Sequence, residues 1–375
     1  MSMVPLGEIA KPISNNRGEA NGPVLSITKH EGFVRSADYF KKVVHSKDLS
    51  KYKRVEKGNF AFSPIHLDEG SIALADEEGL ISPMYRVFEA QEDRVDKNYL
   101  IRILKADPMV ELYGTLGDGS VHRRRSVPWE RLSKVEIPLP PLEEQKRIAG
   151  ILDQADALRR LRTRALDKLN TLGQAIFHEM FGDPADNPKD FPRKKLLDIV
   201  KIIGGSQPAK KHFLYEDGPG RVRFIQTRDF RTDVYKTYVP EGLAKRPFTE
   251  DDVIIGRYGP PVFQIFRGLA GTYNVALMKA EPIGEITKDF VYYLLQEPKL
   301  HGYVVANSER TAGQSGVNLD LLREYPVYAP PIQIQESFTE RLQEIEKLAG
   351  NTRQQCSSSH ALFAALQHRA FRGEL

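Results

Sequence analysis

The sequence is poor in cysteine: a single one, Cys356, stands in 375 residues. No intramolecular disulfide is possible, and zinc sites built from several thiolates are excluded. Long apolar runs are also missing. No stretch approaches the roughly 18 uninterrupted apolar residues of a membrane span, and Met1-Ser2-Met3-Val4-Pro5-Leu6-Gly7-Glu8 lacks the basic-then-apolar order of an export signal. The expectation is a cytoplasmic protein with no membrane partner. Charge of one sign is not in large excess either, with 54 Lys and Arg against 50 Asp and Glu. The net of +4 permits a polyanionic partner without demanding one.

Signatures of catalysis are absent as well. A nucleotide motor needs Gly-x-x-x-x-Gly-Lys-Ser/Thr to cradle phosphates, and the chain has none. Gly204-Gly205-Ser206-Gln207-Pro208 reads as a turn, and Gly218-Pro219-Gly220 cannot open a dinucleotide fold. Gly313-Gln314-Ser315-Gly316 has the wrong spacing for a nucleophile elbow. Asp183, Asp190 and Lys194 are the pieces of a metal nuclease, but they fall in a Pro-broken linker. No catalytic residue, metal or cofactor is expected.

What the sequence does have is length, a globular composition and a repeat. At 375 residues, with 41% hydrophobic and 28% charged residues, two domains are the default. Val135-Glu136-Ile137-Pro138-Leu139-Pro140-Pro141-Leu142-Glu143-Glu144-Gln145 aligns with Tyr325-Pro326-Val327-Tyr328-Ala329-Pro330-Pro331-Ile332-Gln333-Ile334-Gln335 at an offset of ~190 residues. The same offset lays Leu6-Gly7-Glu8-Ile9-Ala10 on Leu196-Leu197-Asp198-Ile199-Val200, and Leu172, His178 and Phe181 on Leu362, His368 and Phe371. The order is therefore globular unit, helix, globular unit, helix, with Gly182-Asp183-Pro184-Ala185-Asp186-Asn187-Pro188 as a turn-forming linker.

Inside the globular units the pattern is of short strands at Val24–Thr28, Asn59–Phe62 and Met84–Phe88, and again at Arg223–Gln226, Val253–Ile255 and Tyr273–Leu277. Tyr99–Leu104 and Asp289–Leu295 read as short helices. Each unit is α+β, a mixed α/β fold with a strongly bent sheet. After Pro141 a helix runs to about Met180, with apolar residues at Ile148, Ile151, Ala155, Leu158, Ala165, Leu169, Leu172 and Ile176. That spacing predicts a coiled-coil seam broken only by Arg162. A second helix, from about Ile332 to Phe371, shows Phe338, Leu342, Ile345, Leu348, Leu362 and Leu366 around a polar middle. Paired antiparallel about their centres, the helices would bring Arg162 near Thr352, as a polar layer fixing register or as a side chain snorkelling to water. A helix of about 39 residues is roughly 58 Å long. Such a rod can hold two units at a fixed separation.

Three features carry a family resemblance: the signature at Ile137 to Ile148, its degenerate copy at Val327 to Phe338, and the closing Arg369-Ala370-Phe371-Arg372-Gly373-Glu374-Leu375. With the openings Val24–Thr28 and Arg223–Thr227, they resemble the specificity subunits of Type I restriction-modification enzymes over the whole chain. Gln333-Ile334-Gln335-Glu336-Ser337 departs from the family's acidic-then-basic run. The resemblance implies target-recognition domains at 1–140 and 183–330, each followed by a helix, 141–182 and 331–375, with the helices packed as an antiparallel coiled coil. It implies that each domain reads one half of an asymmetric bipartite site on double-stranded DNA. Two methyltransferase subunits and restriction/translocase subunits are the implied partners. Asn187-Pro188-Lys189 is not the Asn/Asp-Pro-Pro-aromatic loop that holds a base for methylation, so a partner would move the methyl group.

Phosphate contacts supply affinity and side chains at base edges supply sequence. In the first unit the candidates are Lys41, Lys42, Lys53 and Arg54, with Lys47 and Lys51 beside them, and the basic run His122, Arg123, Arg124 and Arg125 in a Gly-rich loop. In the second they are Lys210, Lys211, Gln226, Arg228, Arg257, Tyr258, Arg310 and Gln314. Arg pairs bidentately with guanine and Gln with adenine, which is the mix a base reader needs. Tyr258 could stack on a sugar or base, though a Tyr after a strand more often packs its ring and wets its hydroxyl. Any one of them is equally at home as an ordinary surface residue. Two other functions fit the same residues: a coiled-coil scaffold for protein partners, and a stand-alone DNA-modifying enzyme with an unrecognised site.

Overall fold

The structure, a computed structural model, describes residues 2–14, 21–29, 31–42, 44–117, 126–259, 261–311 and 314–375, with the backbone alone over 309–311 and 314–315. The chain forms two compact units: Met1–Thr163 with Gln354–Leu375, and Arg164–Arg353.

In the first unit one four-stranded antiparallel sheet has the order Ala10–Ile13, Arg86–Ala90, Phe60–Phe62, Ile72–Leu74. A second has the order Gly32–Arg35, Val24–Thr28, Gly79–Ile81, Lys53–Val55, its central pair parallel. Along Val24–Thr28 the side chains alternate, Leu25 and Ile27 buried and their neighbours half-exposed, as a strand with one wet face requires. Phe60, Ala61 and Phe62 are all buried, because helices cover one face of their sheet and the second sheet the other. A ribbon of Ser2–Pro5 and Glu136–Leu139 closes the unit.

The second unit repeats this frame. Val200–Gly204, Leu277–Pro282, Val253–Gly256 and Ile265–Phe266 make the first sheet. Tyr238–Pro240, Arg221–Ile225, Gly271–Tyr273 and Pro247–Phe248 make the second, again with a parallel central pair. The ribbon pairs Lys194 with Val327 where the first unit pairs Val4 with Ile137, a displacement of 190 positions on both strands. Two of the predicted strands run into turns. At Met84–Phe88 the strand begins only at Arg86, after a turn closed by the Tyr85 N–H on the Ser82 carbonyl at 3.1 Å. At Tyr273–Leu277 the strand stops at Tyr273 and a new one starts at Leu277. Asn274 is the cause of the second break, its side chain accepting from the Ala276 N–H at 3.2 Å and its carbonyl from Leu277 at 3.1 Å.

The long helices span Leu142–Phe181 and Ile332–Arg372 without a break. Each opens on a Gln with no exposed surface. Gln145 donates to the carbonyls of Arg94 (3.0 Å) and Pro140 (2.8 Å) and accepts the N–H of Asp96 (2.8 Å). Gln335 does the same with Glu285 (3.0 Å), Pro330 (2.7 Å) and Thr287 (2.9 Å). Asp96 and Thr287 are in turn the N-caps of the short helices Lys97–Leu104 and Lys288–Leu294. One amide thus ties a long helix to the start of a short one, in both units.

Within each unit the start of one long helix runs beside the end of the other. Ile148, Ala149 and Leu152 share a core with Ala370, Leu366 and Phe363 in the first unit; Phe177 and Phe181 pack on Phe338 in the second, at 5.7 and 5.3 Å between ring centres. The predicted seam is out of phase beyond Leu152. Leu158, Ala165 and Leu172 are exposed, and the inward positions are taken instead by Asp156, Arg159 and Arg162. Asp156, nearly fully buried, binds Arg102 (3.1 Å), Arg159 (2.7 Å) and Arg160 (3.1 Å). Burial pushes its carboxyl up, but the guanidiniums of Arg159 and Arg102 outweigh burial and hold it below the usual carboxylate range. Arg159 lies over the Phe363 ring at 5.1 Å. Arg162 donates to the Gln355 carbonyl and the Ser359 hydroxyl, about one turn past Thr352, so it is inside the pairing and not snorkelling.

Candidate nucleic-acid interface

The first unit uses part of its predicted basic set to hold itself together. Lys53 donates to the Tyr85 carbonyl at 2.7 Å, and burial, with Arg86 nearby, lowers its pKa. Arg54 pairs with Glu78 at 2.7 Å and Glu56 at 3.3 Å, which raises its pKa. Both are half-buried strand residues engaged within their own unit. Lys41 and Lys42 are exposed in the segment after the short helix Ser36–Tyr39, and Lys47 and Lys51 are exposed further on. His122, Arg123, Arg124 and Arg125 lie outside the described residues.

The second unit brings more of its set into use. Lys210 and Lys211 stand exposed on a single 3-10 turn, Lys210–His212. Leu214, just after it, bridges Tyr238. Between the strands Arg221–Ile225 and Tyr238–Pro240 runs a loop of twelve residues, 226–237. Gln226 begins it, half-buried, and its N–H donates to the Asp229 carboxylate at 2.6 Å to start the turn Thr227–Phe230. Burial raises the pKa of Asp229. Arg228 is exposed, its guanidinium 5.6 Å from the Tyr235 ring centre.

Arg257 and Tyr258 follow the buried strand Val253–Gly256. The Arg257 guanidinium lies over the Tyr258 ring at 5.0 Å, and its Nε is buried with no hydrogen-bond partner among the described residues. Tyr258 bridges Gly316, and Val317 donates to the Arg257 carbonyl at 3.0 Å. That pairing sets Arg257 and Tyr258 against the hairpin Glu309–Thr311 with Gln314–Gly316, whose backbone carries Arg310 and Gln314. Four sequence candidates therefore converge on one edge of the second unit. Gln226 and Arg228 sit on the separate loop described above.

Sequence reasoning missed Arg231 and Arg246. Arg231 donates to the Gln264 side chain at 2.6 Å and Arg246 to the Gly204 carbonyl at 3.0 Å, and no described carboxylate pairs with either. Arg231 stands in Arg228-Asp229-Phe230-Arg231, where two basic residues flanking an aromatic were the available signal. Among the described residues no group of three His, Cys, Asp or Glu is arranged to hold a metal ion. No described helix is long and apolar enough to cross a membrane.

Two units on one frame, each with its own loops and a long helix, define a tandem recognition protein. The comparisons with known proteins give the family. The model of the Type I restriction modification DNA specificity domain matches residues 4–171 and again 188–356, so the chain belongs to that family and carries two such domains. It is a specificity subunit, the recognition component and not the catalytic one. Among relatives from Methanocaldococcus jannaschii, the MjaX specificity subunit is 23% identical over 338 residues, 81% of this chain and 75% of that one. The type I restriction enzyme MjaVIII specificity subunit is 23% identical over 310 residues, 72% and 68% of the two chains. A solved chain from a study of complex assembly and conformational transition of the type I R-M system shares the fold at a TM-score of 0.62. Its identity is 20%, covering 100% of this chain and 98% of that chain. The S subunit from M. genitalium gives 0.57 at 15% identity, covering 99% and 96%.

Proposed function

We propose that this subunit directs methylation and restriction to an asymmetric, bipartite site on double-stranded DNA, each recognition domain reading one half-site and the paired long helices setting the gap. The observation that carries the reading is the repeated frame with unlike loops: identical strand order and ribbon register in the two units, different segments between the strands. One scaffold presented twice with different contact residues suits a target whose halves differ. Helices of 40 and 41 residues are about 60 Å long at 1.5 Å per residue. The recognition domains are 1–140 and 183–330, with Lys41, Lys42 and the run His122 to Arg125 supplying phosphate contacts in the first. Lys210, Lys211, Gln226, Arg228, Arg257, Tyr258, Arg310 and Gln314 contact DNA in the second.

Two methyltransferase subunits and the restriction/translocase subunits assemble around this core in the cytoplasm. Apolar residues left exposed on the long helices give them purchase: Leu158, Leu161 and Leu362 in the first unit, Leu172 and Leu348 in the second. The test is to express the chain with its methyltransferase and map methylation across a genome. A two-part motif with a constant unread gap is expected; a single uninterrupted word refutes the reading. Inserting seven residues into both long helices at facing positions lengthens the rod by about 10 Å. The gap should then grow by about three base pairs, at 3.4 Å each.

A further inference from the structure

The two units share a frame but not the connection that leaves the parallel-paired strand. In the first unit Val24–Thr28 turns into Gly32–Arg35 through residues 29–31 alone. In the second, the equivalent strands are joined by residues 226–237. The added length is braced at its base and open at its tip. Phe230 stacks flat on Phe266 at 4.4 Å, and Arg231 holds Gln264 at 2.6 Å. Beyond them Val234 is 75% and Tyr235 62% exposed, and Tyr215, on the segment that bridges the loop's far end, is 74% exposed.

Single exposed apolar residues are ordinary on any surface. These differ in standing together at a loop tip that is tied by local contacts to the loop's braced base. The Val234 N–H donates to the Thr232 hydroxyl at 3.3 Å. Arg228 lies over the Tyr235 ring and donates to its carbonyl at 3.5 Å. The acids of the loop are masked: Asp229 is buried, and Asp233 is paired with Arg223 at 2.6 Å and Lys236 at 3.4 Å. Arg228 and Arg231 have no described carboxylate partner, and Lys210 and Lys211 stand exposed on the segment that leads to the bridge at Leu214. Glu216 and Asp217 lie past Tyr215, beside Arg221, which donates to the Glu216 carbonyl at 2.8 Å. A stiff apolar point with cations on its flanks matches a duplex, whose outside is anionic and whose inside is a stack of apolar faces.

We propose that Val234, backed by Tyr235, is a wedge that enters a base step in the second half-site and opens it, so that this unit selects for a step that unstacks readily as well as for base edges. The proposal rests on the DNA-reading function above. Its test uses the full-length chain and duplexes carrying the mapped target, with 2-aminopurine placed in turn at each adenine position of the second half-site. Wild type should raise the fluorescence several-fold at one position. V234A/Y235A, two changes at exposed residues, should still bind within about tenfold but give the fluorescence of the free duplex, whereas Val234→Leu, which keeps an apolar side chain and Tyr235, should retain the wild-type signal. Wild type that binds without a rise at any position overturns the wedge and leaves the DNA-reading function standing, as does a full rise in V234A/Y235A. Wild type that fails to bind any duplex across a salt series removes both.

Discussion

Replacing Gln145 by Ala tests how the long helix is attached to its unit. The Gln145 side chain, which has no exposed surface, makes three hydrogen bonds to backbone groups of Arg94, Asp96 and Pro140. Truncation removes the three and leaves two carbonyls and one N–H without partners. At roughly 1 kcal/mol net per bond, with a further penalty for stranding buried groups, the loss is about 4 kcal/mol. That is a large share of the 5–15 kcal/mol typical of a domain. The assay is urea unfolding followed by fluorescence of Trp129, the single tryptophan of the chain. Trp129 belongs to the first unit, its ring 5.1 Å from Phe88, so its signal reports that unit. With an m-value of about 2 kcal/mol/M the midpoint should fall by about 2 M. Glu143→Ala, two residues away on an exposed side chain, is the control and should stay within about 0.5 kcal/mol. If Q145A moves the midpoint no further than E143A, the amide does not fasten the helix and the reasoning is refuted. Gln335→Ala removes the same three bonds in the second unit, so it should shift the circular dichroism transition more than the Trp129 signal.

Other outcomes follow from the ion cluster and from the edge that carries Arg257. Asp156→Asn takes the shared carboxylate from Arg102, which keeps Asp153 at 2.6 Å, and from the half-exposed Arg159 and Arg160, and should destabilise the first unit by about 1–3 kcal/mol. Because the Asp156 carboxyl is held below its ordinary pKa, its contribution is complete above that ordinary value and fades as pH falls through the depressed one. The Trp129 unfolding midpoint, measured from pH 7 to pH 3, should therefore drop more steeply in wild type than in D156N. Arg257→Ala should weaken binding to the mapped duplex by about 10- to 100-fold, the 1–3 kcal/mol of a bidentate base contact. It should also relax the methylated motif at one position; equal weakening on unrelated duplexes would reassign Arg257 to phosphate.

The frame was readable because its punctuation is local. Pro140-Pro141 and Pro330-Pro331 mark where strand becomes helix, and the ribbon register confirms the 190-residue repeat position by position. The phase of the helix pairing was not readable. An apolar heptad was sought, while the inward face beyond Leu152 carries Asp156, Arg159 and Arg162, whose partners include Arg102 from another helix. Polar residues become interior only through partners far away in sequence, and one helix read alone displays only its leucines. The same distance hid the engagement of Lys53 by Tyr85 and of Arg54 by Glu78. Gln145 and Gln335 stood in the aligned motif, but two amides in a polar helix opening give no sign of being buried.

The contrast between residues 29–31 and 226–237 on matching strands bears on how such a protein changes its target. Lengthening a surface connection fourfold adds only about 1.2 kcal/mol of closure entropy. The strands, the buried amides and the long helices need not alter to accommodate it. New specificities are thus thermodynamically cheap for this architecture, and one half of the chain can acquire them while the other half keeps its own.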